Sequence, residues 1–295
     1  MFRILEKNDL AAHVHRYVIE APAVAKKARA GQFVILRIVE EGERIPITIA
    51  DWDQKQGTIT LFVQAVGKTT IQMSRMHQGD FIADVVGPLG NPSDVEKAGT
   101  VVALGGGFGI AAIHPIVRAH TELGNHTISI IGARTKDLLI LENEMRNVSS
   151  EVRIATDDGS YGYKGFVTGV LKEMLETKER IDLVLAIGPV PMMKAVSDLT
   201  RPYGIKTLVS LNPIMVDGTG MCGACRVQVH GETKFACVDG PEFDAHEVDF
   251  ELLTHRLKMY KKQEEISLRR YEEKCSAIIE SGTAAAERKK EAVVL

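Results

Sequence analysis

The sequence predicts a β + α/β protein: an antiparallel β-barrel over residues 1–96, a parallel-sheet α/β unit over 97–211, a small cysteine-rich module over 212–249 and a helical tail over 250–295. Three observations carry this. Short apolar runs broken by glycines fill the first part, strands alternate with helices after Gly99, and three of the four cysteines crowd between Cys222 and Cys237. At 295 residues and 32.3 kDa the chain is long enough for about two domains. Hydrophobic residues make up 45% and charged residues 25%, which fits a folded chain and not a disordered one. Lys+Arg 36 against Asp+Glu 39 leaves a net charge of -3, so no basic excess supports binding to nucleic acid or an anionic membrane. Apolar runs such as Val101–Leu104 fall far short of the roughly 20 residues that span a bilayer. Met1–Lys7 carries an acid and no sustained apolar core, unlike an export leader, so the expected location is cytoplasmic. In that compartment clustered cysteines point to a metal or cofactor and not to a disulfide framework.

In the first part, residues 32–38, 58–63 and 81–86 read as strands, with Gly31, Gly42, Gly57, Gly79 and Gly87 between them. Strands at that spacing with few helical periods between them favour a small antiparallel barrel or sandwich. From Gly99 the character changes. Residues 100–104 form a continuous apolar strand of the kind covered on both faces, followed by a glycine-rich turn and a helix to about Leu123. Strands at 127–132, 151–156, 182–187 and 206–211 alternate with helices near 141–147, 169–177 and 191–200. That order implies a parallel sheet with helices on both faces. Residues 212–244 are too short and irregular to build a core alone, and such a segment normally needs a metal. In the tail, Leu253, Leu257, Tyr260, Leu268, Tyr271, Cys275 and Ile278 recur at helical spacing between charges, and 281–295 is rich in alanine and charge with a frayed end. A lone amphipathic helix is marginal in water, so this stripe is expected to bury against a partner subunit, as a subunit contact, or against this chain's own barrel.

The sharpest chemical signal is Asp217-x4-Cys222-x2-Cys225-x11-Cys237. A two-iron cluster of the ferredoxin type uses an x4 loop, an x2 loop and a distant fourth ligand. Here Asp217 stands where the first cysteine is usual, and Gly218, Gly220 and Gly223 allow the loop its unusual dihedrals. The alternatives are a zinc ribbon, for which only one CxxC is present and His230 is the sole nearby histidine, or free thiols. The second signal is Leu104-Gly105-Gly106-Gly107-Phe108-Gly109, between a strand and a helix, where a phosphate can approach backbone amides. Gly188, Pro189 and Met192 form a second strand–turn–helix junction across the expected crevice. A glycine-rich turn alone is weak evidence, and this one lacks the acid of the G-x-G-x-x-G fingerprint.

These two turns behind a barrel resemble the ferredoxin–NADP reductase superfamily, which implies FAD on the barrel and a nicotinamide nucleotide at the glycine turn. The superfamily's R-x-Y-[ST] flavin motif corresponds to Arg44-Ile45-Pro46-Ile47-Thr48, with Thr48 in place, Ile47 for the aromatic and Arg44 one residue early. Val63, Gln64 and the turn Gly67-Lys68-Thr69-Thr70 resemble its second flavin segment, a V-G-x-x-T phosphate turn; an ordinary hairpin turn is the bland alternative. With the cysteine motif at the C-terminal end, the order of parts resembles the electron-transfer subunits of dihydroorotate dehydrogenase B. It also resembles the related small subunits of NADH-dependent ferredoxin:NADP oxidoreductase, and residues 44–51, 104–111, 132–135, 156–162 and 221–243, with the aspartate at 217, look like the second group. The resemblance covers residues 1–250.

It implies an oxidoreductase subunit carrying FAD, a [2Fe-2S] cluster and NAD(H). It also implies a heterodimer with a larger flavin and iron–sulfur subunit through which ferredoxin and NADP(H) are reached. The rival acceptor is a dihydroorotate dehydrogenase, and the rival class is a zinc-stabilised nucleotide-binding regulator. Arg134 and Lys136 follow the second strand of the α/β unit, as a 2′-phosphate site or as solvated loop charges. Asp157 and Asp158 read as loop acids, and His114 and His120 as packing or solvent-facing residues on a helix. Trp52 covers either the flavin site or only the barrel end, and Cys275 reads as a buried or interfacial thiol. Hydride transfer needs no side-chain acid, base or nucleophile, so no catalytic side chain is assigned.

Overall fold

Residues 1–291 are described by a computed structural model, with side chains to 276. Apolar residues at every second position close the first sheet. Its strands are β1 (Phe2–Ala11), β2 (Val14–Glu20), β3 (Phe33–Arg37), β4 (Arg44–Asp53), β5 (Thr58–Gln64), β6 (Phe81–Ile82) and β7 (Asp84–Leu89), with short helices α1 (Pro22–Ala25) and α2 (Lys68–Ser74). The antiparallel order β6-β1-β2-β5-β4-β3-β7 ends on two strands separated by Ala83, so the sheet curls into a nearly closed barrel. Ile59, Leu61 and Val63 on β5, with Tyr17, Ile19, Val34 and Leu36, fill its interior. The expected strand over 81–86 is therefore two strands. The extended β1, β2 and β4 were not read from periodicity, because charged residues interrupt their apolar ones.

The second sheet comprises β8 (Thr100–Gly106), β9 (His126–Ala133), β10 (Glu151–Thr156), β11 (Tyr163–Lys164), β12 (Leu183–Ile187) and β13 (Thr207–Ser210). Helices α3 (Gly109–Glu122), α4 (Glu142–Val148), α5 (Val167–Glu176) and α6 (Val190–Thr200) cover both faces. Val102 and Leu104 on β8 face one core and Val101 and Ala103 the other, which is why that strand is apolar without alternation. On α5, Val167, Val170, Leu171, Met174 and Leu175 form the buried stripe. The order β11-β10-β9-β8-β12-β13 reverses beside β8, placing a crevice at the carboxyl ends of β8 and β12.

The cysteine-rich segment adds the hairpin β14 (Arg226–Val229) and β15 (Glu232–Phe235), then β16 (Glu242–Asp244), which pairs antiparallel with β13. It builds no core of its own. Cys225, Val227, Ala236, Cys237 and Phe243 are buried among residues of the second sheet and among Phe33 and Ile35 from the outer face of β3. Barrel and second sheet are also tied directly: Arg118 on α3 donates to Asp51 at 2.8 Å and lies 5.3 Å from the Trp52 ring.

The tail is two helices, α7 (Phe250–Leu257) and α8 (Lys261–Glu291). Leu253 is fully buried and Leu257 packs beside it, whereas Tyr260 is exposed. The side chain of Ile278 and the end of the 281–295 segment lie outside the described residues. Among the described residues no helix is long and apolar enough to cross a membrane.

Candidate functional site

Two sites form where these parts meet. The first is a cleft of about 800 Å³ between the barrel and the carboxyl ends of β8 and β12. Strand alternation aims Thr48 and Ala50 on β4 and Phe62 and Gln64 on β5 into it. The opposite wall supplies Gly106, Gly107 and Gly109 at the β8–α3 turn, Arg134 after β9, and Gly188, Pro189 and Met192 at the β12–α6 turn. At Gly109 a Cβ would stand 2.0 Å from the Ile187 carbonyl oxygen, so only glycine lets α3 begin this close to β12. No side chain caps the amino end of α3, the end whose partial charge favours an anion. The residues present therefore fit a dinucleotide phosphate on one wall and a planar, largely apolar group on the other.

The remaining expected residues lie elsewhere. Pro46 and Ile47 are half-buried on β4, and Ile47 packs with the barrel core. Val63 is fully buried inside the barrel, which leaves only its backbone for a cofactor. Gly105 is closed over by Ile110 and packs α3 on the sheet. The turn Gly67-Lys68-Thr69-Thr70 opens α2: Thr70 Oγ1 accepts from the amides of Val66 and Gly67, both at 3.0 Å. Lys68 Nζ lies 3.2 Å from Glu43, and Thr69 donates to the same carboxylate at 2.7 Å. Burial pushes the Glu43 carboxyl up, but Thr69, Ser267 and Lys68 outweigh it and hold the group below the ordinary range.

Arg134 and Lys136 separate: the first lines the cleft, while Lys136 lies 5.1 Å from the Tyr161 ring. Asp157, Phe166 and Thr168 also line the cleft and were missed as site residues. From sequence Asp157 reads only as a loop acid, and the 67% exposure of Phe166 at the cleft is not visible in a linear sequence. Asp158 binds its own loop through Ser160. His120 is packed against Asn125, and burial first, then Arg118, lowers the His114 pKa.

The second site is the 217–237 segment. At Gly218 a Cβ would stand 2.6 Å from Leu89 and 2.9 Å from Ile35, so the loop lies flat on β3 and β7 only as glycine, at φ 76°. Cys225 and Cys237 are buried with their sulfurs 3.2 Å apart, and both are free thiols. Burial and then the Cys225 sulfur push the Cys237 thiol upward, so a thiolate there calls for a cation. Cys222 is exposed, and Asp217 Oδ2 accepts from its amide at 3.0 Å while Oδ1 accepts from Thr219 at 2.9 Å. These amides hold the Asp217 carboxyl below its ordinary range. Among the described residues no three His, Cys, Asp or Glu side chains converge as a single-ion site. The four expected ligands stand as two pairs, Asp217 with Cys222 and Cys225 with Cys237. Pairs fit a two-iron core better than the tetrahedral zinc alternative.

Comparison with known proteins agrees with this architecture. The iron-sulfur cluster binding domain of dihydroorotate dehydrogenase B matches residues 212–249. A dihydroorotate dehydrogenase B (NAD(+)) electron transfer subunit homolog from Thermotoga maritima is 50% identical over 268 residues, 91% of this chain and 94% of that protein. The dihydroorotate dehydrogenase B (NAD(+)) electron transfer subunit of Fusobacterium nucleatum is 33% identical over 255 residues, 83% of this chain and 96% of its own length. A solved chain from the NADH-dependent reduced ferredoxin–NADP oxidoreductase, studied for flavin-based electron bifurcation, superposes with a TM-score of 0.87. It is 48% identical and covers 92% of this chain and 98% of that one. Identities of 50% and 33%, over 94% and 96% of the length of these two relatives, place this chain in the family of dihydroorotate dehydrogenase B-type electron transfer subunits.

Proposed function

We propose that this chain is an NAD(H)-dependent oxidoreductase subunit that passes electrons between NAD(H), FAD and a [2Fe-2S] cluster to a larger flavin and iron–sulfur partner, as in NADH-dependent ferredoxin:NADP oxidoreductase. The 800 Å³ cleft carries the reading, because it sets barrel residues Thr48 and Gln64 opposite the glycine turns at 106–109 and 188–189. Pro46, Ile47, Thr48, Val63, Gln64, Gly67, Lys68, Thr69 and Thr70 hold FAD. Gly105, Gly106, Gly107, Gly109, Arg134, Gly188, Pro189 and Met192 hold the nicotinamide nucleotide. Asp217, Cys222, Cys225 and Cys237 hold the cluster.

A nicotinamide moves two electrons as hydride and a cluster moves one, and a flavin exchanges both ways when bound between them. The chain's own residues orient these groups. The Gly109 contact fixes the amino end of α3 against β12, and Phe62, Ala50 and Ala111 keep the cleft dry. Residues 1–96, 97–211, 212–249 and 250–295 are the working divisions. Four free cysteines, two of them buried side by side, support a cytoplasmic location.

Co-purification from the native host tests the reading. A larger flavin and iron–sulfur subunit supports it, and a lone colourless chain carrying zinc contradicts it. The second reading, delivery of electrons to a dihydroorotate dehydrogenase, is favoured by the match over 212–249, and that dehydrogenase as the co-purified chain would establish it.

A further inference from the structure

A pocket of about 170 Å³ lies between the cluster loop and the tail, lined by Cys222, Gly223 and Ala224 with Arg226, Arg256 and Tyr260. Arg256 is in the last turn of α7, whose Phe250 and Leu253 are buried in the common core, so the root of its side chain is fixed. Its Nη2 donates at 3.0 Å to the carbonyl oxygen of Ala224, inside the Cys222–Cys225 loop. Its Nε is buried without a partner, the one side-chain nitrogen or oxygen in that condition among the described residues. Nor does either guanidinium on this pocket join an ion pair among the described residues.

A buried N–H without an acceptor is costly, and an unpaired guanidinium beside a ligand loop calls for negative charge. A two-iron, two-sulfide core held by three thiolates and a carboxylate is anionic, and each electron it takes adds to that charge. Hydrogen bonds to its sulfurs and nearby charge set its potential. We infer that Arg256 positions and tunes the cluster: Nη2 holds the Ala224 carbonyl, while Nε donates to a sulfur on the Cys222 side and stabilises the electron-rich state. This rests on the assignment of the cluster to 217–237. Arg226 lines the same pocket from an exposed position, where water screens its charge more strongly.

The test is a redox titration of the full chain followed by EPR, with iron and flavin measured on each sample and activity left out. R256Q should lower the cluster's midpoint potential while iron and FAD stay at wild-type levels. R226Q should shift it less, and R256K, which keeps the charge without Nε–H, should fall between wild type and R256Q. An R256Q protein with wild-type midpoint and EPR spectrum overturns the inference. If R256Q loses iron, R256K decides: a lowered midpoint supports the donor role and an unchanged one overturns it. Wild-type protein without iron overturns the cluster assignment itself, whatever Arg256 does.

Discussion

Ser267 of the tail helix donates a 2.9 Å hydrogen bond to Glu43, the same carboxylate that accepts from Thr69 at 2.7 Å. The tail therefore reaches the turn assigned to the flavin phosphates. At the other end of α2, Arg75 lies 5.1 Å from the Tyr271 ring and 2.7 Å from Cys275 Sγ. The tail stripe expected to cover either a partner or this chain's barrel lies, at Tyr271 and Cys275, on the barrel. These groups are largely exposed, so each contact is worth about 1 kcal/mol or less. A chain ending at residue 260 should melt roughly 2–4 °C lower, as about 1 kcal/mol does at this size, and should release FAD faster. Thermal melting and flavin fluorescence after dilution check this; release at the wild-type rate would contradict it.

Glu242 on β16 is half-buried, with Ser93 Oγ 2.5 Å from its Oε1. Burial first, with Asp94 adding to it, raises its pKa above the ordinary glutamate range. A raised folded-state pKa gives stability that is complete below the unfolded value and is lost as pH climbs through the folded one. Stability should thus decline from about pH 4.5 upward through this group. Glu242→Gln keeps an acceptor for Ser93 and removes the charge, so its melting temperature should exceed wild type at pH 8 and match it near pH 4. A wild-type slope in the variant would show that Glu242 ionises without cost.

Gly109→Ala forces a Cβ against the Ile187 carbonyl, and α3 must move away from β12. NADH binding should weaken at least tenfold, about 1.4 kcal/mol, while FAD and iron are retained. Titration calorimetry on the holoprotein reads this directly, and unchanged affinity would remove the glycine turn from the nucleotide site.

Asp217 accepts from the amides of Thr219 and Cys222, and a carboxylate so held still has lone pairs for iron. Asp217→Ala should lose most of its iron. Asp217→Cys should keep it with a shifted midpoint potential, since thiolate is the softer donor. An Asp217→Ala protein with wild-type iron content and spectrum would make the aspartate a loop brace only.

Much of this was legible from local pattern. The alternation of Ile59, Leu61 and Val63, the unbroken apolar β8 and the Asp217–Cys237 spacing depend on near neighbours in sequence. What was not legible depends on partners far along the chain. β16 gains its identity only by pairing with β13, and Phe33 and Ile35 have their role because the cysteine segment packs on the barrel's outer face. Asp157 reads as a loop acid because nothing local shows that a cleft reaches it, and nothing local to Glu43 shows that a tail helix does. The Ile47 position follows from strand alternation, which turns it to the barrel core while Thr48 faces the cleft.

The most direct measurement is anaerobic titration of the purified chain with NADH, followed by visible absorption and low-temperature EPR. The account predicts bleaching of the flavin band together with the signal of a reduced two-iron cluster; when Cys225 and Cys237 are replaced and iron is gone, the cluster signal is lost and the flavin still bleaches. Flavin bleaching in the wild-type chain with no cluster signal, or a colourless protein that NADH leaves unchanged, would contradict it.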